Sequence, residues 1–97
     1  MDDELLNRIV SIIESPIDIV YFLRCNEYVK IGTTKGGLIR RIADLQVGNP
    51  YELNLEWFIL GGNKVEGKIH KKLIKYWTRG EWHKIDKKEM IKLIKEI

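Results

Sequence analysis

Five residues spread through the chain carry groups that phosphodiester chemistry uses. Tyr21, Lys30, Arg41, Glu66 and His70 supply a phenol, an ammonium, a guanidinium, a carboxylate and an imidazole. A phenol titrates near about 10, too high for a base at neutral pH. A neighbouring ammonium favours the phenolate, so Lys30 beside Tyr21 would let the phenol take a proton from water. A guanidinium at Arg41 could grip a phosphate through a forked pair of hydrogen bonds. A carboxylate oxygen with water and phosphate oxygens is a typical Mg2+ environment, which needs only one or two protein ligands.

Each residue also has a plainer reading. Tyr21 could be a half-buried strand tyrosine and Lys30 a solvated edge lysine. Arg41 could cover apolar surface with its stem. Asn63-Lys64-Val65-Glu66 is a capping-box pattern, so Glu66 could cap its own helix. His70 lies four residues after Glu66, on the same helix face, and could be an ordinary surface histidine. The pair is too little to imply zinc. Asn49-Pro50 reads as a turn whose amide could touch a phosphate. Trp57, Trp77 and Trp82 read as core, and Glu81-Trp82 could brace the site from behind.

The elements that must position these groups follow from periodicity. Residues 3–14 carry Leu5, Leu6, Ile9, Val10, Ile12 and Ile13 at helical spacing, and Ser15-Pro16 ends the run. Asp18–Arg24 and Tyr28–Thr33 are rich in Val, Ile, Tyr and Phe and read as strands joined by a hairpin. With Asn26-Glu27 as the turn, Cys25 faces Tyr28, Leu23 faces Lys30 and Tyr21 faces Gly32. Alternation then places Tyr21, Leu23, Tyr28 and Lys30 on one face, with Val20, Phe22, Val29 and Ile31 on the other to feed the core. Tyr21 and Lys30 become diagonal neighbours, and Gly32 leaves room for a ligand.

Leu38–Val47 reads as a helix with Leu38, Ile42 and Leu45 buried and Arg41 at the border of that stripe. Glu52–Leu60 reads as a strand. Asn63 to about Trp77 reads as a helix with Val65, Ile69, Leu73 and Tyr76 on one side. Glu81–Ile85 is a short extended piece, and Asp86–Ile97 a last helix with Asp86 and Glu89 as a capping box. This order predicts a small α+β domain with a three-stranded sheet flanked by helices.

Composition bounds the function. The chain has 97 residues, 44% hydrophobic and 32% charged, as expected of one globular domain. No apolar run is long enough to span a membrane, and the acidic start, Met1-Asp2-Asp3-Glu4, argues against a signal peptide. Cys25 is alone, so no disulfide framework or cysteine zinc site is expected, and an intracellular setting fits. Net charge is +3, but residues 64–97 hold eleven Lys/Arg against five Asp/Glu. That basic half suits a polyanion, with Lys68, Lys71 and Lys72 as nucleic-acid contacts beside Asn49.

Taken in order, these motifs resemble the GIY-YIG endonuclease superfamily, in particular a branch common in phages and other viruses whose second motif is Lys-Ile-Gly. Ile19-Val20-Tyr21 corresponds to the first tripeptide and Lys30-Ile31-Gly32 to the second. Arg40-Arg41-Ile42 matches the arginine motif. Leu45-Gln46-Val47-Gly48-Asn49-Pro50, Glu66-Gly67-Lys68-Ile69-His70 and Gly80-Glu81-Trp82 match later motifs of that branch. Ile19 replaces the first glycine of the name motif, Lys30 its second tyrosine, and His83 stands where the branch often has Phe.

The resemblance covers about residues 18–85, leaving helices of about 3–14 and 86–97 outside it. It implies a metal-dependent endonuclease acting on DNA, with Tyr21, Lys30, Arg41 and His70 catalytic. It also implies one Mg2+, replaceable by Mn2+, held by Glu66. Two other readings stand beside this one. The first is a non-catalytic nucleic-acid-binding module of the same fold. The second is an interaction protein that forms a homodimer through the helix of residues 3–14.

Overall fold

The structure, a computed structural model, describes residues 2–97. Helix α1 spans Asp3–Glu14 and starts where the Asp2 carboxylate accepts a hydrogen bond from Leu5 N at 2.7 Å. It buries only Ile13, so most of its apolar stripe, including Leu5, Leu6 and Ile12, faces outward. Strands β1 (Asp18–Cys25) and β2 (Tyr28–Lys35) form the expected hairpin. Its register pairs Cys25 with Tyr28, Leu23 with Lys30 and Tyr21 with Gly32. Asn26 takes the left-handed conformation that a tight turn needs and that Asn tolerates.

Helix α2 (Leu38–Gln46) has Gly37 at its N-cap, without a capping side chain of its own. Glu14 of α1 supplies the missing acceptor, taking a hydrogen bond from Ile39 N at 2.9 Å. This contact fixes α2, and with it Arg41, against α1. After α2 the Gln46 carboxamide organises the loop. Its nitrogen donates to the carbonyls of Asn49 and Tyr51 at 3.2 and 2.9 Å, and its oxygen accepts from Leu53 N at 2.8 Å. Strand β3 (Asn54–Leu60) then pairs with β1.

Helix α3 runs over Asn63–Lys72 and stops earlier than its periodicity suggests. A 3-10 turn at Ile74–Tyr76 leads into β4 (Trp77–Arg79), and β5 (Trp82–Lys84) returns antiparallel to it. Trp, Thr and Trp favour strands, Gly80 takes the positive φ of the turn, and two side chains lock the hairpin. Trp77 Nε1 donates to Gly80 O at 2.8 Å, and Thr78 Oγ1 to Trp82 O at 2.9 Å. The sheet therefore has five antiparallel strands in the order β3-β1-β2-β5-β4, not three. The extra pair was hidden because Trp77 continues the helical apolar spacing of α3. Helix α4 (Lys87–Ile94) closes the chain, with the Asp86 carboxylate accepting from Glu89 N at 2.8 Å.

Both faces of β1 are buried, while β2 buries mainly the face shared with Phe22. On one face Val20, Phe22, Val29 and Ile31 pack with Ile69 of α3, Leu73 at its C-cap, and Met90 and Ile94 of α4. On the other, Ile19, Tyr21 and Leu23 pack with Ile13, Leu38 and Leu53. The expectation that the Val20 and Phe22 face feeds the core is thus met, a second core covers the Tyr21 face as well, and together they explain the unbroken apolar run of β1. Trp57 and Trp77, expected in the core, are 38% and 52% exposed, while Trp82 packs against the second core. Across β1 and β3, Arg24 donates to both Glu56 oxygens at 2.9 and 2.6 Å and to Ile85 O at 2.6 Å. Among the described residues no helix is long and apolar enough to cross a membrane.

Candidate active site

Strand β5 covers β2 only from Tyr28 to Lys30. Beyond that point the edge of β2 is met by a single backbone bond, Ile31 N to Glu81 O at 3.0 Å. At this step in the sheet, side chains from elements on both faces come together. Tyr21 and Lys30 come from β1 and β2, Arg41 from α2, Glu66 and His70 from α3, and Glu81 from the β4–β5 turn.

Tyr21 is 1% exposed. Its ring lies across Gly32, where an added Cβ would meet the phenol oxygen at 2.5 Å. The space left by Gly32 is thus filled by Tyr21 itself and not held open for a ligand. The hydrogen bond to Tyr21 Oη comes from Arg41 Nε at 3.5 Å. That bond, with the electrostatic pull of the Tyr21 oxygen, keeps the pKa of the Arg41 guanidinium above its ordinary value. Arg41 is otherwise exposed, as its border position on α2 predicts.

Lys30 keeps its diagonal register to Tyr21, but its ammonium is engaged elsewhere. Nζ donates to Glu81 Oε1 at 3.2 Å and sits 5.7 Å from the centre of the Trp82 ring. The β2–β5 register, which sets Lys30 opposite Trp82, accounts for this meeting.

Glu66 does not cap its helix. Gly62 holds the N-cap of α3, no side chain caps it, and Asn63 is already helical. Among the described residues, Glu66 Oε2 is a buried oxygen with no hydrogen-bond partner. Burial first, and the Glu81 carboxylate second, push the Glu66 carboxyl above the usual range, while His70 and Lys30 pull it back. Glu66, His70 and Glu81 each offer a ligand atom, and these atoms all lie within 4.8 Å of one another. A buried oxygen without a donor, beside a second carboxylate and an imidazole, fits a divalent cation.

Behind His70 lies His83, with ring centres 5.1 Å apart. His83 is fully buried, and among the described residues neither ring nitrogen has a hydrogen-bond partner. Burial, and then His70, lower its pKa, and the Glu81 backbone carbonyl only partly offsets this.

Glu81 and His83 were the residues hardest to read. Glu81 reads from sequence only as a brace, because β4 follows the helical spacing of α3 and leaves the extended piece of Glu81–Ile85 without its partner strand. Asn49 Oδ1 accepts from Tyr51 N at 3.0 Å, so its side chain shapes the loop. The residue also borders a recess of about 360 Å³ with Tyr28, Arg79 and Trp82. Lys68 and Lys71 are exposed, with Lys68 on roughly the opposite side of α3 from Glu66. Lys72 pairs with Glu96 at 2.9 Å. A recess of about 740 Å³ between Arg24, Tyr76, Asp86 and Glu89 shares no residue with the cluster. Its acids are engaged, Asp86 as a helix cap and Glu89 as acceptor for Tyr76 Oη at 3.3 Å.

No curated protein and no solved structure matches the chain. A sequence model of the T5orf172 domain matches residues 18–97, from the first residue of β1 through α4. That span contains every residue of the cluster. The chain therefore belongs to the T5orf172 domain family, a phage-associated group related to nucleases.

Proposed function

We propose that this protein is a metal-dependent DNA endonuclease of the GIY-YIG type. The observation that carries the reading is the convergence of Tyr21, Arg41, Lys30, Glu66 and His70 at one step in the sheet. Secondary structure alone does not require that meeting, since two residues come from one core and two from the helix over the other.

Tyr21 is the general base. It takes a proton from water as the water oxygen bonds to phosphorus and the bond to the leaving sugar oxygen breaks. Arg41 covers the phenol in the free protein. An incoming phosphate draws the guanidinium onto its own oxygens, which uncovers Tyr21 Oη and stabilises charge on the phosphoryl group. Lys30, diagonal to Tyr21 in the hairpin register and held by Glu81 in the free protein, supplies a second positive charge for the bound phosphate. His70 serves the Glu66 side of the site. Glu66 would hold a divalent cation, Mg2+ or Mn2+, which would supply positive charge for the leaving oxygen.

Nicking of supercoiled plasmid with Mg2+ or Mn2+ tests this reading. Wild-type protein is expected to nick, and Glu66→Ala and Tyr21→Phe to lose the activity. Cleavage unchanged in both variants would sink the mechanism.

A second reading, a non-catalytic nucleic-acid-binding module, draws on the burial of Tyr21 and the exposed lysines of α3. It expects salt-sensitive DNA binding that survives Glu66→Ala, with no nicking under any metal.

A further inference from the structure

Glu81 answers to two cationic demands. Its Oε1 accepts from Lys30 Nζ at 3.2 Å, yet the same carboxylate offers a ligand atom within 4.8 Å of those on Glu66 and His70. We propose that Glu66, His70 and Glu81 form a three-ligand transition-metal centre in which the Lys30 ammonium competes with the metal for Glu81. The proposal rests on Glu66 as the metal-binding carboxylate. It adds two ligands, an ion class and an internal competitor.

The ligands sit on rigid supports. Glu66 and His70 are one turn apart on α3, and the Ile31 N bond to Glu81 O ties the third ligand to β2. Ligand atoms that share one ion stand about 3–4 Å apart, given bonds of about 2.0–2.2 Å. Rotating the two carboxylates closes the remaining gap. Glu66 Oε2, buried and unpartnered, is the atom that most lacks a cation. His83, buried behind His70 with ring centres 5.1 Å apart, fills the space on that side of the imidazole.

The donor set also selects the ion. Mg2+ favours all-oxygen surroundings, while an imidazole nitrogen suits Mn2+ and the later first-row ions. Two carboxylates balance a divalent charge only when Lys30 has withdrawn from Glu81. An ammonium left beside the ion would repel it. Metal loading is therefore coupled to the release of Lys30, which lies diagonal to Tyr21.

Calorimetric titration of the full chain with Mn2+ and with Mg2+, without nucleic acid, tests the centre. Circular dichroism on every variant verifies folding. Mn2+ is expected to bind more tightly than Mg2+ by about tenfold or more. Glu81→Gln, which keeps the side-chain shape, and His70→Gln are each expected to weaken Mn2+ binding at least about tenfold. Lys30→Met is expected to tighten it. If Glu66→Gln abolishes binding while Glu81→Gln and His70→Gln bind as wild type, the three-ligand centre falls and the single-carboxylate endonuclease stands. If Lys30→Met leaves Mn2+ affinity unchanged, the competition falls. Wild-type protein that binds neither ion overturns both the centre and the metal role of Glu66.

Discussion

Gly32 and the phenol of Tyr21 share one space: a Cβ on Gly32 would stand 2.5 Å from Tyr21 Oη and 2.7 Å from Cζ. The ring is buried and cannot simply swing aside. Gly32→Ala is therefore expected to destabilise the fold by about 1–3 kcal/mol, as overpacking does, and to displace the Tyr21 ring. Gly67 gives the opposite control. It lies within α3 with nothing near its missing side chain, so Gly67→Ala is expected to stabilise by about 0.5–1 kcal/mol. Urea unfolding of both variants measures the pair, and a Gly32→Ala protein as stable as wild type would contradict the packing.

Arg41 touches the site but hardly supports the fold. Its one side-chain hydrogen bond is the 3.5 Å contact to Tyr21, and the residue is exposed. Arg41→Ala is expected to lower plasmid nicking by about 10²–10³-fold and to shift stability by less than about 0.5 kcal/mol. Arg41→Lys is expected to restore little, since an ammonium cannot fork onto two phosphate oxygens. Nicking rates and thermal melts of the same preparations separate the two effects.

Arg24 and Glu56 behave the other way. Their side chains are 14% and 10% exposed, and Arg24 also holds the Ile85 carbonyl. Removing one partner strands a buried charge, so Arg24→Ala is expected to cost about 3–5 kcal/mol. The double change Arg24→Met with Glu56→Leu is expected to recover most of that loss. Chemical denaturation of the single and double variants provides the check.

Two groups set opposing pH limits on stability. The buried His83 ring resists protonation, so its pKa in the fold lies below the ordinary value of about 6.5. As pH falls below that value the unfolded chain takes up a proton the fold refuses, and stability drops. His83→Phe is expected to flatten this acid limb. The Glu66 carboxyl is held above its ordinary range, so the folded chain keeps a proton that the unfolded chain has released. Its contribution is full below about 4.3 and is lost as pH rises through the folded value. Metal-free Glu66→Gln is thus expected to gain stability at neutral pH relative to wild type. Melting temperatures from pH 4 to pH 8 (about one-unit steps suffice) read both limbs.

Much of this fold is legible from local pattern. The apolar stripe of residues 3–14, the Asn26-Glu27 turn and the cap at Asp86 each have a local cause, and each stands where that cause puts it. The hairpin register, and with it the diagonal of Tyr21 and Lys30, follows from turn length alone. What was not legible depends on contacts between distant segments. Trp77 keeps helical spacing with Tyr76 and Leu73, and only its pairing with His83 across the sheet makes it a strand residue. Lys30 is a partner for Tyr21 by register, but Glu81, which arrives from that unrecognised hairpin, holds it. Glu66 fits a cap by spacing, and the choice of Gly62 as N-cap decides otherwise. Burial of Tyr21 likewise required knowing that α2 folds back over the sheet.

The candidate site straddles two cores that close at different points along the chain. Tyr21 and Arg41 belong to the half built from α1, α2 and the first hairpin. Glu66, His70 and Glu81 all lie downstream, on segments that complete the other half. A polypeptide emerging from synthesis would therefore possess Tyr21 and Arg41, the proposed base and phosphate clamp, well before any carboxylate or imidazole of the proposed cation cluster. An unfinished or truncated copy lacks that cluster, so the assembled constellation reports that both halves have condensed in register.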